Sequence, residues 1–227
     1  MALVLNQLVR YAPVVALLRD EPGSILEVGS GSTGIAHYLG RRTFGLEIRF
    51  LEPPGPGLLP VAGTATALPF ADASVDVVLI MDTMEHIPPP LREQALREAM
   101  RVAGRTIVVG GPMGPRAREA DVRLAAGYRK RNIAIPDWLA EHLSERAPDV
   151  DDIAGPLRDA GWDVGTRGNE NIHGHLALMR LELSSFWFRV FGRVRRHLPR
   201  PAMAMARALR LPPYYSSLVV ARRRATA

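Results

Sequence analysis

A chain of 227 residues, 47% of them hydrophobic, is long enough to bury one large α/β core, and two small domains would fit it less well. It has no cysteine, which excludes structural disulfides and thiolate metal sites and makes the cytoplasm the expected setting; no apolar run reaches the ~20 residues that span a bilayer. The net charge of +6 is uneven, because no acidic residue follows Glu182 while ten arginines do, so a mildly acidic body carries a basic tail.

Ala2–Leu5 is apolar but lacks basic residues ahead of it and makes a poor signal peptide. Residues 3–19 read as helix, with Pro13 opening a second helical piece, and Pro22-Gly23 ends it. Ser24–Val28 reads as the first strand, Ser32–Leu39 as a helix closed by Gly40, and Thr43–Ile48 as the second strand. A Pro/Gly loop at 53–57 leads to a short third strand at 61–64. Val75–Met81 is almost wholly apolar, as a strand covered on both faces of a parallel sheet must be. Leu91–Val102 has helical spacing, and Thr106–Val109 is a fifth strand. Strands alternating with helices at this spacing predict a doubly wound parallel sheet. Beyond it, helices are expected over 116–131, 136–146 and 150–160, a strand over 162–166, a long helix over 175–197 and a last strand over 214–221.

The segment Ile25-Leu26-Glu27-Val28-Gly29-Ser30-Gly31-Ser32-Thr33-Gly34 is a strand running into a glycine-rich turn, where bare N–H groups can meet a ligand. The spacing Gly29-x-Gly31-x-x-Gly34, with Glu47 eighteen residues after Gly29, also fits a dinucleotide fingerprint. Glu27 argues otherwise. A carboxylate at the end of a buried strand must be hydrogen-bonded or face a cation, and a ligand with an ammonium group supplies one. Glu47, closing the second strand, can accept two hydrogen bonds from a ribose diol.

With Gly45-Leu46-Glu47, the segment from Ala67-Leu68-Pro69-Phe70 to Val78, and Met84-Glu85-His86-Ile87-Pro88, this stretch resembles the class I S-adenosyl-L-methionine-dependent methyltransferases of the broad small-molecule, type 11-like branch. The resemblance covers roughly residues 24–112. It implies a Rossmann-like seven-stranded sheet, mostly parallel with an antiparallel last strand, plus a helical cover. One domain would then comprise N-terminal helices (1–23), a cofactor-binding core (24–112), a variable acceptor cover (113–213), and a last strand with basic tail (214–227). Carried over by position, Glu27, Gly29, Ser30 and Gly31 line the methionine side of the cofactor. Glu47 holds the ribose, Ile48 packs on the adenine, and Met81 and Asp82 lie beside the cofactor. Thr64 and Ala65 stand where the family often has an Asp reading the adenine amino group, so a hydroxyl replaces a charge there.

Methyl transfer from a sulfonium needs a positioned acceptor and, for a hydroxyl or protonated amine, a base. His86 and His142 are the candidate catalytic residues, with His173 and His175 as further bases and Tyr128 and Arg131 as acceptor contacts. Asp82, Glu85 and His86 are also similar to the acidic-x-x-Glu-His metal pattern of the quinone-biosynthesis O-methyltransferase branch, although capping and local ion pairs account for such a turn and no metal site is assigned. Residues 176–198 interleave aromatic and apolar residues with arginines, which suits packing on the domain, a lipid-linked or anionic acceptor, a peripheral membrane contact or a homodimer interface. No RNA-binding module accompanies the arginines, so nucleic acid is not an expected partner. The expected function is methyl transfer to a small-molecule acceptor. The alternatives are a non-catalytic scaffold docking through its basic C-terminal segment and an NAD(P)-dependent oxidoreductase.

Overall fold

The apolar run Val75–Met81 becomes β4, the middle strand of a seven-stranded sheet ordered β3-β2-β1-β4-β5-β7-β6. The structure, a computed structural model, describes residues 5–182 and 211–224. β1 (Ile25–Val28) and β4 pair in parallel at the centre, flanked by β2 (Thr43–Glu47) and β3 (Leu58–Ala62) on one side and β5 (Ala103–Pro112) on the other. β7 (Tyr214–Arg222) runs antiparallel between β5 and β6 (Asp163–Asn171), as expected for the last strand.

Alternation along the central strands divides the core into two layers. Leu26, Val28, Val78, Ile80, Ile107 and Val109 pack with Leu96 and Ala99 of α3 (Pro89–Val102) and Ile153 and Leu157 of α6 (Val150–Asp159). Ile25, Val77, Leu79, Met81 and Val108 pack on the other face against Tyr11, Val14, Val15 and Leu18 of α1 (Leu5–Leu18). Each buried Val, Leu, Ile or Met side chain among them contributes about 1.5–3 kcal/mol of burial. A third cluster, on α4 (Gly114–Lys130), α5 (Asp137–Ser144) and α7 (Ile172–Glu182), joins Ala117, Leu124, Leu139, Leu176 and Tyr215 into a cover at the carboxyl end of the sheet.

Several elements differ from expectation for local reasons. α1 runs unbroken through Pro13, its packed face outweighing the missing N–H. The helix after the glycine turn, α2 (Ala36–Leu39), has only four residues, because Gly31 and Gly34 hold positive φ angles of 58° and 54° and keep the chain in turns. β5 begins at Ala103 and takes Gly104 into the strand. β6 runs on through Asn169-Glu170-Asn171, where shifts in register against β7 bury the adjacent Asn169 and Glu170 together. The long helix begins at Ile172; its described part ends at Glu182, and residues 183–197 lie outside the described residues. Among the described residues no helix is long and apolar enough to cross a membrane.

Candidate active site

The glycine turn is held by two carboxylates. Glu27, between Leu26 and Val28, points to the α1 face and is fully buried. The Tyr11 hydroxyl donates to its Oε1 at 2.7 Å, and the Ile35 amide donates to its Oε2 at 2.5 Å. Its need for partners is thus met inside the protein, by the amide that leads into α2. Burial pushes its pKa up to about 7, against the pull of those two hydrogen bonds. Glu47 closes β2 and accepts from the Gly31 amide at 2.6 Å. Among the described residues, apart from Gly31's own chain neighbours, no atom lies within 4 Å of where a Gly31 Cβ would stand, so the turn faces open space, whereas a Cβ on Gly34 would meet Glu27 Oε2.

Around this turn the other expected cofactor residues are distributed unevenly. Ser30 is buried and donates to its neighbour's carbonyl, the Gly31 oxygen. Ile48 is 81% exposed, an apolar side chain left uncovered beside Glu47. Thr64 is exposed, with its hydroxyl on that of Thr66, and Ala65 is half-buried against the core. The Met81 side chain is enclosed in the α1-side core, so only its backbone can border a ligand. A carboxylate at the end of β2, an open glycine turn and an exposed apolar side chain are groups of the kinds that suit the ribose and adenine parts of S-adenosylmethionine. At the other end, both Glu27 oxygens are already engaged and keep only their second lone pairs.

Asp82, just past β4, takes a positive φ of 49°, a strained setting for a residue other than glycine. It faces Arg10 of α1 at 3.1 Å. Both line a cavity of about 250 Å³ with Glu85, His86, Trp138, His142, His175 and Tyr215. Burial pushes the Asp82 and Glu85 carboxyls up, and the nearby Asp82 charge adds to the rise at Glu85. Burial pushes His86 down.

Two imidazole–carboxylate pairs meet in this cavity. His142 Nδ1 is 3.0 Å from Asp121 Oδ2, and the other Asp121 oxygen accepts from the Tyr215 hydroxyl at 2.9 Å. His175 Nδ1 is 3.2 Å from Glu170 Oε1, and its ring stacks on Tyr215 with centroids 3.6 Å apart. Nε2 of both histidines is buried with no hydrogen-bond partner among the described residues. His86 lies beside His142, ring centroids 5.0 Å apart, with its Nδ1 2.7 Å from Glu141.

His86, His142 and His175 therefore come together, while His173 is exposed and Tyr128 and Arg131 do not line the cavity. Arg10, Asp121 and Tyr215 escaped sequence reading. Asp121 carried a signal: it sits on the apolar stripe of Ala117, Ala120, Leu124 and Tyr128, in a helix that otherwise reads as solvated.

An open, doubly wound sheet with a glycine turn at the carboxyl edge of its first strand is a nucleotide-cofactor fold. Residues 26–106 match the sequence profile of a family described as a methyltransferase domain. A demethylmenaquinone methyltransferase of Renibacterium salmoninarum is 35% identical over 133 residues, 52% of this chain and 53% of that protein. The chain spans about half the length, or less, of the curated relatives it matches. Magnesium protoporphyrin IX methyltransferase from Synechocystis, solved with S-adenosylhomocysteine bound, aligns over 97% of this chain and 83% of its own at 13% identity, TM-score 0.53. The [4+2]-cyclase SpnF aligns over 96% and 82% at 14% identity, TM-score 0.56. Residues 26–106 are thus similar to a methyltransferase domain, and the fold around them is shared with solved methyltransferases.

Proposed function

We propose that the chain transfers a methyl group from S-adenosylmethionine to a small-molecule acceptor seated in the 250 Å³ cavity. The observation that carries this reading is the position of Asp82. It directly follows the strand next to β1, at the sheet edge where ligands bind in open α/β sheets, and it also forms a wall of the cavity. On this reading Glu27, Gly29, Ser30 and Gly31 border the methionine part. Glu47 holds the ribose, Ile48, Thr64 and Ala65 surround the adenine, and Met81 and Asp82 lie at the junction with the acceptor.

When bound, S-adenosylmethionine supplies an electrophilic methyl group together with its leaving group, a neutral thioether. What remains for the protein is to align the acceptor and take its proton. His142 and His175 are placed for the second task, each oriented through Nδ1 by a carboxylate and each with Nε2 unengaged. His86 borders the same cavity beside His142. Arg10 is already paired with Asp82, which supports a neutral, hydroxyl-bearing acceptor better than an anionic one. The demethylmenaquinone named for one relative makes a lipid-linked quinol a natural member of a test panel. Phe186, Trp187 and Phe188 among the arginines beyond Glu182 support a lipid contact for such an acceptor.

The test is transfer of a radiolabelled methyl group to a panel of phenols, catechols, quinols and amines. Label should enter at least one hydroxylated acceptor, and His142→Ala should lower the rate by about 10²-fold or more. Cofactor binding with no transfer to any acceptor would favour the scaffold reading instead.

A further inference from the structure

Glu27 is fully buried, and its two oxygens are met by neutral donors, the Tyr11 hydroxyl and the Ile35 amide. These hydrogen bonds satisfy lone pairs but leave the charge of a carboxylate without a counter-ion. The charges that bear on it most are those of Asp82 and Glu47, both acids. Arg10, one residue before Tyr11 on α1, is committed to Asp82 at 3.1 Å. Tyr38 of α2 adds a second phenol and no cation, its ring stacked on that of Tyr11 with centroids 5.1 Å apart. A carboxylate taken out of water without a cation takes up a proton instead. Burial accordingly pushes the Glu27 carboxyl up to about 7. The same side chain lies directly against the glycine turn, since a Cβ on Gly34 would meet its Oε2. A phenol suits this setting, because its oxygen can donate to a carboxylate or accept from the acid.

We propose that binding of S-adenosylmethionine expels the proton of Glu27, the cofactor's ammonium group becoming the missing counter-ion, and that Tyr11 is the positioning residue for the carboxylate so formed. This rests on the reading above, in which the methionine part lies at Glu27 and the turn. The O–H bond of the carboxylic acid breaks, its electron pair stays on the carboxylate, and the proton passes to solvent. The ammonium nitrogen keeps its own protons. Tyr11 donates to one oxygen of the carboxylate and Ile35 to the other, so the turn stays bracketed while a bound cation replaces a bound proton. Below about pH 7 the empty site must lose a proton before it can bind, so affinity for the cofactor rises with pH through that value.

The test is calorimetric titration of the full chain with S-adenosylhomocysteine at pH 6 and pH 8, each in two buffers of different ionisation enthalpy. Nearly one proton should be released per cofactor at pH 6 and almost none at pH 8, with affinity rising about tenfold between them. Methylthioadenosine, which keeps the adenosine and thioether but lacks the ammonium group, should release none. Glu27→Gln should bind S-adenosylhomocysteine with no release and no pH dependence. Tyr11→Phe keeps the ring on Tyr38 but loses the donor, so the rise in affinity should move up by about one pH unit. A hydroxyl with only a packing role would leave it in place, and Tyr38→Phe should behave as wild type. Binding of S-adenosylhomocysteine without proton release, equal release by methylthioadenosine, or release persisting in Glu27→Gln would each overturn the proposal. The comparison of the two ligands needs only the wild-type chain, so it decides the matter even if Glu27→Gln does not fold. No binding of S-adenosylhomocysteine at either pH would overturn the cofactor site itself, a result distinct from binding without release.

Discussion

Glu27 is the residue whose chemistry reaches furthest. Burial raises its pKa from 4.5 to about 7, so between those values the folded chain holds a proton that the unfolded chain has lost. Stability contributed by the neutral form is therefore lost as pH rises from about 4.5 to about 7, by about 3 kcal/mol at most, and is level above that. Asp82 and Glu85 are raised too and add slopes of the same sign. The informative quantity is thus a difference: Glu27→Gln should flatten the fall in melting temperature between pH 5 and pH 8 relative to wild type. An unchanged slope would mean that Glu27 is ionised in the folded protein throughout. Tyr215→Phe isolates a second contact. It keeps the ring stacked on His175 but leaves one Asp121 oxygen without its donor, a cost of about 1–3 kcal/mol in urea unfolding. A loss below about 0.3 kcal/mol, against that scale, would show that the hydroxyl does not support Asp121.

At the scale of elements, the glycine turn works as a bracket more than as a helix start. The expected helix over 32–39 shrinks to α2 because the backbone at Gly31 and Gly34 is left-handed. The two positions should respond differently to alanine. Both carry the backbone strain of a positive φ, about 1–2 kcal/mol, but only at Gly34 would the Cβ also collide with Glu27 Oε2. Thermal melts should rank Gly34→Ala well below Gly31→Ala, and equal losses would contradict the bracket. Elements with strong periodicity were legible along the chain, β4 and α6 almost to the residue. The extension of β6 through Asn169 and Glu170 was not, because its polar composition hides a strand whose pairing comes entirely from β7. The glycine turn could be read because its residues are consecutive in the sequence. In the cavity, His86, His142 and His175 could be named from the sequence, but Arg10, Asp121 and Tyr215 could not, since these groups converge from α1, α4, α5, α7 and β7.

Across the whole molecule, the carboxyl edge of the sheet brings two sites together. One is the bracketed turn with Glu47, and the other is the cavity under the α4, α5 and α7 cover, with Asp82 between them. The charge is uneven in the same sense: ten arginines follow Glu182 in the sequence, while Asp82, Glu85, His86, His142 and His175 line the cavity. The central claim is that the turn and Glu47 form an S-adenosylmethionine site. Calorimetric titration of the full chain with S-adenosylhomocysteine, and in parallel with NADH, tests it most directly. The account predicts one site for S-adenosylhomocysteine, none for NADH, and a 10- to 100-fold weaker affinity in Glu47→Ala, the scale of about 1.5–3 kcal/mol for a hydrogen bond to a charged group. Binding of NADH instead, or affinity for S-adenosylhomocysteine undiminished in Glu47→Ala, would contradict it.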